Sequence, residues 1–206
     1  MTTPRSGSRA RGFSMLELMV VVTIIVILSA MAISQMGPAT STMRADTAMR
    51  QVVEQLRSAR EYAIANRRWV QITFPVVLNA GVSENRVQIT IKNTLTVGAG
   101  ADAALPPTPI QRPMTFYVFP APVPDTPDAF GNANALVFGG VAGGPVGGMM
   151  FDPTGALVNG ATLQPINGSV FLGVVGRNET ARAVSVMGTT GRIRGWSWNG
   201  TTWFQF

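Results

Sequence analysis

The chain has 206 residues, of which 46% are hydrophobic, and its 16 basic and 10 acidic residues give a formal net charge of +6. It contains neither cysteine nor histidine, which excludes disulfides, thiol nucleophiles, histidine-based triads and metal sites built from these side chains. The composition therefore predicts one modest domain without disulfides and argues against an enzyme, a metal centre or a bound cofactor.

A basic leader precedes a long apolar run at the N-terminus. Arg5, Arg9 and Arg11 lie in the first twelve residues, and the apolar run covers residues 13–33. As a helix its 21 residues would measure about 31 Å, close to the roughly 30 Å thickness of a bilayer's hydrocarbon core. Basic residues before a spanning segment stay in the cytoplasm, so the rest of the chain is expected to cross outward. Without the leader the net charge falls to +3, which weakens any case for a polyanionic partner.

One acidic residue, Glu17, interrupts the apolar run. A charge near the middle of a spanning helix costs roughly 2.5–3.5 kcal/mol on insertion scales. The sequence therefore predicts that some interaction of this carboxylate offsets the cost of its charge.

The residues around Glu17 resemble the prepilin pattern of the type IV pilin and type II secretion pseudopilin superfamily, and they read Arg11-Gly12-Phe13-Ser14-Met15-Leu16-Glu17. The resemblance implies that a prepilin peptidase cuts after Gly12 and that the new N-terminal residue, Phe13, becomes N-methylated. It also implies that Glu17 neutralises the N-terminal amine of a neighbouring subunit inside a filament. Many pilins carry a disulfide, and this chain departs from them there.

Two other interpretations of the N-terminus compete with the prepilin pattern. The segment can be an ordinary membrane anchor, which would need neither Glu17 nor a Gly12–Phe13 junction. It can also be a secretory signal, since an apolar stretch over 18–28 precedes Ala30-Met31-Ala32, which resembles a cleavage site. Cleavage there would release a secreted β-rich protein that starts at Ile33.

A second helical segment follows the apolar run. Gly37-Pro38 predicts a kink or short break, because proline donates no hydrogen bond to the helix and disfavours helix at the preceding residue. From Met43 to Arg68 apolar residues recur at steps of three and four, which is typical of a helix that packs on a sheet. These residues are Ala45, Met49, Val52, Val53, Leu56, Ala59, Ala63 and Ile64. We therefore expect a cleaved leader at 1–12, a transmembrane or filament-core helix at 13–36 and an amphipathic helix at 37–68.

The end of this helical pattern resembles the minor pseudopilins of the GspH/FimT type. The similarity covers 56–68, rich in arginine and alanine, and the alternating residues 69–74 that follow directly. It implies a helix that runs straight into a first strand, and a minor rather than a major subunit.

Residues 69–206 have the period of two that is typical of strands. Alternation is clearest over 70–74, 87–91, 116–118 and 181–187. The stretches 93–113 and 120–135 are rich in proline, alanine, glycine and asparagine and predict long loops, 139–148 holds six glycines, and 151–155 resembles a family turn before a further strand. The expected class is α+β, pilin-like, with a long N-terminal helix packed on a C-terminal antiparallel β-sheet domain.

The C-terminal residues predict a β-hairpin. Asn199-Gly200 favours a two-residue type I′ loop, which would pair Trp198 with Thr201 and Trp196 with Trp203. Alternation then places four side chains on one face, namely Arg192, Arg194, Trp196 and Trp198.

This arginine–tryptophan face has two interpretations. Guanidinium groups interleaved with indoles can stack bases and hold phosphates, and Gly191-Arg192-Ile193-Arg194 resembles an element that FimT-type pilins use for DNA uptake. Alternatively, the arginines simply stack on the tryptophans across a solvent-facing hairpin. Arg177 and Arg182 are further candidates for such a basic patch.

Asp125 and Asp128 lie in a proline-rich loop. Their oxygens can serve as calcium ligands, but Asp and Pro also form ordinary turns, and the turn is the favoured interpretation.

Taken with the resemblance, these features predict a GspH-like minor pseudopilin of a type II secretion system or type IV pilus. It would cross the bacterial inner membrane once, with its C-terminal domain in the periplasm. Its expected partners are the prepilin peptidase and methylase, other major and minor pilins, and the assembly platform. The first alternative is a FimT-like pilin that binds DNA for natural transformation, and the second is the secreted β-rich protein.

Overall fold

The computed structural model describes residues 14–79, 81–93, 102–145 and 147–206. The chain divides into two compact units, one ending at Thr40 and the other spanning Ser41–Phe206. A long helix precedes antiparallel strands, which is consistent with the predicted α+β pilin-like fold.

Helix α1 covers Met15–Asn66 without interruption. Of the predicted kink or short break at Gly37-Pro38, the break is absent, and the helix ends two residues before the expected Arg68. A proline inside a helix removes one hydrogen bond, whereas ending and restarting the helix would leave four backbone groups unpaired at each new terminus. A helix that continues through Pro38 therefore loses fewer backbone hydrogen bonds than one that ends and restarts there.

The first sheet in the described chain has seven strands. Its main path runs β10-β9-β1-β3-β2, and β4 and β5 also pair with β3. All the pairs are antiparallel. The strands are β1 (Trp69–Thr73), β2 (Val76–Asn79), β3 (Val82–Lys92), β4 (Ala103–Ala104), β5 (Thr108–Pro109), β9 (Met149–Phe151) and β10 (Leu157–Asn159).

The second sheet also has seven described strands. Its path runs β14-β13-β12-β11-β7-β8, with β6 paired to β11, so β14 lies at an edge. These pairs are antiparallel as well. The strands are β6 (Thr115–Phe116), β7 (Leu136–Phe138), β8 (Val141–Ala142), β11 (Gly168–Val174), β12 (Arg177–Met187), β13 (Arg192–Trp198) and β14 (Trp203–Gln205).

The main core lies between the C-terminal half of α1 and both sheets. The helix contributes the predicted apolar stripe, of which Ile64 alone is exposed. The first sheet adds Val70 and Ile72, and the second adds residues such as Val184 and Val186. Periodicity therefore predicted the helical side of the core correctly, apart from Ile64.

A second core covers the other face of the second sheet. Segment 117–133 contains no strand and lies over this face. The cluster comprises Phe119, Val123, Phe171, Ala181, Ala183, Trp196, Trp198 and Trp203. Strands β11 to β13 are therefore buried on both faces, which explains why β12 shows seven consecutive residues that are buried or nearly so.

The predicted strands and loops agree with most of this topology. Strands β3 and β12 contain the alternating stretches 87–91 and 181–187, β1 contains 70–73, and β6 reaches only Phe116 of the stretch 116–118. No strand interrupts residues 120–135. Short strands β4 and β5 lie inside the expected loop 93–113, and β8 lies in the glycine-rich stretch. The expected turn at 151–155 is confirmed, because the Asp152 carboxylate accepts hydrogen bonds from the backbone of Thr154 and Ala156, each at 2.9 Å.

Candidate assembly segment and arginine–tryptophan hairpin

The predicted processing residues, Gly12 and Phe13, lie outside the residues that the structure describes. The described chain starts at Ser14, whose carbonyl oxygen accepts a hydrogen bond from the Leu18 amide at 3.1 Å. The Ser14 hydroxyl also accepts a hydrogen bond from the Leu16 amide at 3.4 Å, as a serine does when it caps a helix.

Glu17 lies in the first turn of α1. This end of a helix carries partial positive charge, so an acidic residue is electrostatically favoured there. Its side chain is exposed, and no cation of the described residues forms an ion pair with it. The carboxylate is thus presented on an apolar helix without a positive partner in the described chain.

The helix around Glu17 exposes apolar side chains on all sides. These side chains are Met15, Leu16, Leu18, Met19, Val20, Val21, Val22, Ile24, Ile25, Val26, Ile27, Leu28 and Met31. A helix that is apolar all round is normally buried, and an apolar patch of this size marks an interaction site. By length and hydropathy, none of the helices in the described part of the chain qualifies as a membrane span.

The hairpin tryptophans do not form the predicted solvent-facing surface. Trp196 and Trp198 are only 6% and 4% exposed, because both indoles pack in the core under segment 117–133. The Trp196 Nε1 donates a hydrogen bond to the Ser185 hydroxyl at 2.9 Å. Stacking of nucleic-acid bases on these two rings is therefore excluded by their burial in this conformation.

The two arginines of the hairpin differ in their environments. Arg194 pairs with the Asp128 carboxylate at 2.6 Å, and its guanidinium carbon lies 5.9 Å from the centre of the Trp196 ring. Asp128 also accepts a hydrogen bond from the Ser185 hydroxyl. Arg192 is exposed and has no carboxylate partner among the described residues. The stacking of arginine on tryptophan is thus observed for Arg194, on a partly buried face.

The hairpin loop is longer than predicted. Trp198 pairs with Trp203 and Trp196 with Gln205, so residues 199–202 form the loop. The Asn199 side-chain oxygen accepts hydrogen bonds from the backbone amides of Thr201 and Thr202, at 2.9 and 2.7 Å. An asparagine that bonds its own turn in this way stabilises a four-residue loop and shifts the register by two residues.

Gly191, which opens the Gly-Arg-x-Arg element, is required by packing. Its φ is +62°, and a Cβ there would collide with the Gly155 carbonyl oxygen and approach Arg60 Nε to 2.6 Å. Arg60 donates hydrogen bonds from Nε to that carbonyl oxygen, at 3.0 Å, and from Nη2 to the carbonyl oxygen of Thr190, at 3.2 Å. Arg60 thereby connects the helix to two turns of the sheet domain, and glycine leaves room for it.

Arg182, predicted as a possible extension of a basic surface patch, is buried. It is 1% exposed, and its Nε donates to the Asp46 carboxylate at 2.5 Å. Its Nη1 also donates to the carbonyl oxygens of Ala181 and Glu179, at 2.9 and 3.2 Å. Sequence reasoning missed this ion pair, because its partners are 136 positions apart and neither belongs to a local motif. Arg177, on the same strand, lies 3.5 Å from the Ser41 hydroxyl.

Asp125 confirms the turn interpretation. Its two carboxylate oxygens accept hydrogen bonds from the backbone amides of Thr126 and Gly131, each at 2.7 Å. Within the described residues, no group of three or more acidic side chains is placed to hold a metal ion. The Asp125 carboxylate thus stabilises a turn, and the Asp128 carboxylate forms an ion pair with Arg194.

Two acidic side chains near the first sheet have altered acidity. Hydrogen bonding from Arg86, and further from Arg112 and Asn79, lowers the pKa of Glu84. Hydrogen bonds from Lys92 and from the Asn93 amide lower the pKa of Asp102. Both shifts favour the charged carboxylate. The hydrogen bonds that cause them connect loop residues to β3.

Residues 7–33 match the family model described as the prokaryotic N-terminal methylation motif. Comparisons with curated proteins and with solved structures gave no significant match. The motif implies processing by prepilin peptidase and assembly with other pilins. It covers the predicted cleavage junction, the predicted methylation position and Glu17. The N-terminal segment thus supports the identification of this chain as a type IV pilin-like protein or pseudopilin.

Proposed function

We propose that this chain is a GspH-like minor pseudopilin of a type II secretion system or type IV pilus. Prepilin peptidase cuts it after Gly12, Phe13 is methylated, and residues 13–33 hold it in the bacterial inner membrane before assembly. The sheet domain then faces the periplasm or the outside of the filament. The protein works mechanically, as a structural subunit without catalytic activity.

The observation that carries this proposal is the apolar, exposed surface around Glu17. A soluble domain would not leave a helix apolar on all sides, so this segment needs lipid or other apolar helices around it. An unpaired carboxylate in such surroundings is costly unless a cation meets it. The methylated amine of a neighbouring subunit supplies that cation in the filament interior.

The sheet domain supports a secretion subunit over a DNA-binding one. The helix ends at Asn66 and β1 starts at Trp69, as the resemblance to both GspH-type and FimT-type subunits implies, so the choice between the two rests on the C-terminal hairpin. Three of the four residues on the arginine–tryptophan face, which suggested DNA uptake, make contacts inside the domain. Trp196 and Trp198 are buried, and Arg194 pairs with Asp128. Only Arg192 of the four proposed DNA-binding residues remains exposed and without a carboxylate partner in the described chain.

The proposal is tested by Glu17→Ala in the full chain, expressed with the other subunits of its own system. We expect normal cleavage and membrane insertion but loss of the protein from sheared filaments or from cross-linked subunit complexes, because the amine of the neighbour loses its counter-ion. Glu61→Ala is a matched control, since it removes an exposed acid from the other half of the same helix. Mass spectrometry of the mature N-terminus separates N-methyl-Phe13 from a start at Ile33.

Two outcomes would overturn the proposal. Normal assembly of Glu17→Ala would show that assembly does not need this carboxylate. Recovery of the native protein with its first twelve residues attached, or starting at Ile33, would remove the prepilin route.

A further inference from the structure

A groove of about 300 Å³ lies between the C-terminal half of α1 and the edge of the second sheet. Its floor is apolar and is formed by Met49, Val53 and Gly195. Gly195 keeps this floor open, because a Cβ there would approach the Met49 sulfur to 3.1 Å and Val53 Cγ2 to 3.5 Å. The groove is therefore a consequence of a glycine facing two helical residues in the middle of β13.

The rim of the groove is basic. Arg50 and Arg57 project from the helix, two turns apart, and the Arg50 guanidinium carbon lies 4.6 Å from the centre of the Phe206 ring. Among the described residues, the ion pairs involve neither arginine, although Glu54 lies between them. Two guanidiniums against one carboxylate leave an excess positive charge beside the apolar floor.

Strand β14 offers backbone hydrogen-bonding groups beside this rim. It pairs with β13 on one side and is the edge of its sheet in the described chain. Its residues Phe204 and Gln205 are exposed, and Phe206, which follows the strand and lines the groove, is 54% exposed. The Phe206 amide still donates to the Gly195 carbonyl oxygen at 2.8 Å, so the edge is held in extended form up to the groove. An unpaired edge of this kind is a template for an added strand.

We propose that this groove binds an extended acidic segment of a neighbouring subunit, which adds to β14 as a further strand. Alternate side chains of a strand point to opposite faces, so an apolar residue can enter the floor while a neighbouring carboxylate meets Arg50 or Arg57. Charge complementarity selects the acidic segment, and the unpaired edge selects its extended form. Only the identity of the partner as another subunit rests on the proposed function above.

The test uses the full chain in detergent micelles, and the absence of native cysteine makes a single introduced cysteine a unique label. Gln205→Cys carries an environment-sensitive fluorophore on β14, and Gln164→Cys carries it at an exposed position elsewhere. The probe is a synthetic peptide of alternating valine and glutamate. Its controls are a peptide of alternating valine and lysine, and the acidic peptide with a central proline, which cannot complete a strand.

We expect the acidic peptide to change the fluorescence at Gln205→Cys and not at Gln164→Cys, and the two control peptides to bind at least tenfold more weakly. The double variant Arg50→Gln/Arg57→Gln should raise the dissociation constant at least tenfold. Arg44→Gln/Arg67→Gln removes two exposed arginines outside the groove, one on the same helix and one directly after its end, and should change the dissociation constant less than twofold.

Three results with the peptides would overturn the inference. The first is an equal loss of affinity for the acidic peptide in both double arginine variants. The second is equal binding of the lysine peptide, and the third is absence of acidic-peptide binding to the protein that keeps all its arginines. Displacement of the acidic peptide by a DNA oligonucleotide, with tighter binding of the oligonucleotide, would assign the groove to nucleic acid instead and would also overturn it. Because this measurement involves no filament, its failure leaves the Glu17 experiment unaffected.

Discussion

The two halves of α1 have the same backbone conformation and opposite relations to their surroundings. Residues 15–31 are almost entirely apolar and exposed, whereas residues 41–66 bury one apolar stripe and expose charged residues on the other side. The C-terminal half finds its packing partners in its own chain, in both sheets. The N-terminal half instead exposes apolar side chains on all sides, whereas a helix that is apolar all round is normally buried. One helix thus contains an exposed apolar segment at its N-terminal end and, after it, a segment that packs into the core of the sheet domain.

The largest expected effect comes from substituting one leucine in each half of the helix. Leu56→Ala removes a side chain that is 2% exposed in the main core and should cost about 3 kcal/mol of unfolding free energy. Leu18→Ala removes an exposed leucine and should leave the stability of the sheet domain unchanged. Chemical denaturation followed by the fluorescence of the buried tryptophans measures both. Equal losses would mean that the exposed half of the helix contributes to the fold of the domain.

The second effect concerns the charges on the folding half. Asp46→Asn leaves Arg182 buried without its carboxylate and should cost about 2 kcal/mol. Arg182→Met should cost less, because the Asp46 side chain is 29% exposed and can be solvated when its partner is gone. Glu54→Gln, at a carboxylate without an ion pair in the described chain, is the control and should be neutral. The same denaturation experiment orders the three variants, and a larger loss for Arg182→Met would contradict this asymmetry.

What the sequence predicted was local. The stripe from Ala45 to Ala63 is confirmed because helical periodicity depends only on neighbours three and four positions away. The N-terminal family is supported for the same reason, since its signal is a contiguous run that one family model matches. Cleavage at Gly12 and methylation at Phe13 stay predictions.

What the sequence could not predict depends on distant segments. Alternation placed Arg194, Trp196 and Trp198 correctly on one face of β13, but it could not show that segment 117–133 covers that face. An alternating strand looks half-exposed unless the layer over its second face is known. The Asp46–Arg182 pair and the groove beside Gly195 were hidden in the same way, because each joins the helix to a strand far along the chain.

A smaller effect separates the two arginines of the hairpin. Arg194→Ala removes an ion pair and a contact with Trp196 on a partly buried face, and should cost about 1 kcal/mol. Arg192→Ala should be neutral, because this side chain is exposed. Denaturation of both single variants measures the difference, and an equal effect would show that the Asp128 pair contributes nothing.

The same two arginines test the DNA-uptake alternative. That alternative predicts salt-sensitive binding of double-stranded DNA that is lost in Arg192→Ala/Arg194→Ala. The proposed function predicts no such binding at low salt. Binding that the double variant loses, while its fold stays intact by circular dichroism, would favour the DNA-binding pilin.

The smallest effect is a dependence on pH in the sheet domain. Because hydrogen bonds from Arg86 and Arg112 lower the pKa of Glu84 below its ordinary value of 4.5, the folded protein binds a proton there less readily than the unfolded chain. The stabilisation from this carboxylate is therefore complete above the unfolded pKa and is lost as pH falls through the lower, folded value. Glu84→Gln should flatten this part of the acid-denaturation curve, whereas Glu61→Gln, on the exposed side of α1, should leave it unchanged. If both variants keep the same curve, the hydrogen bonds that Glu84 accepts from Arg86 and Arg112 do not contribute to stability.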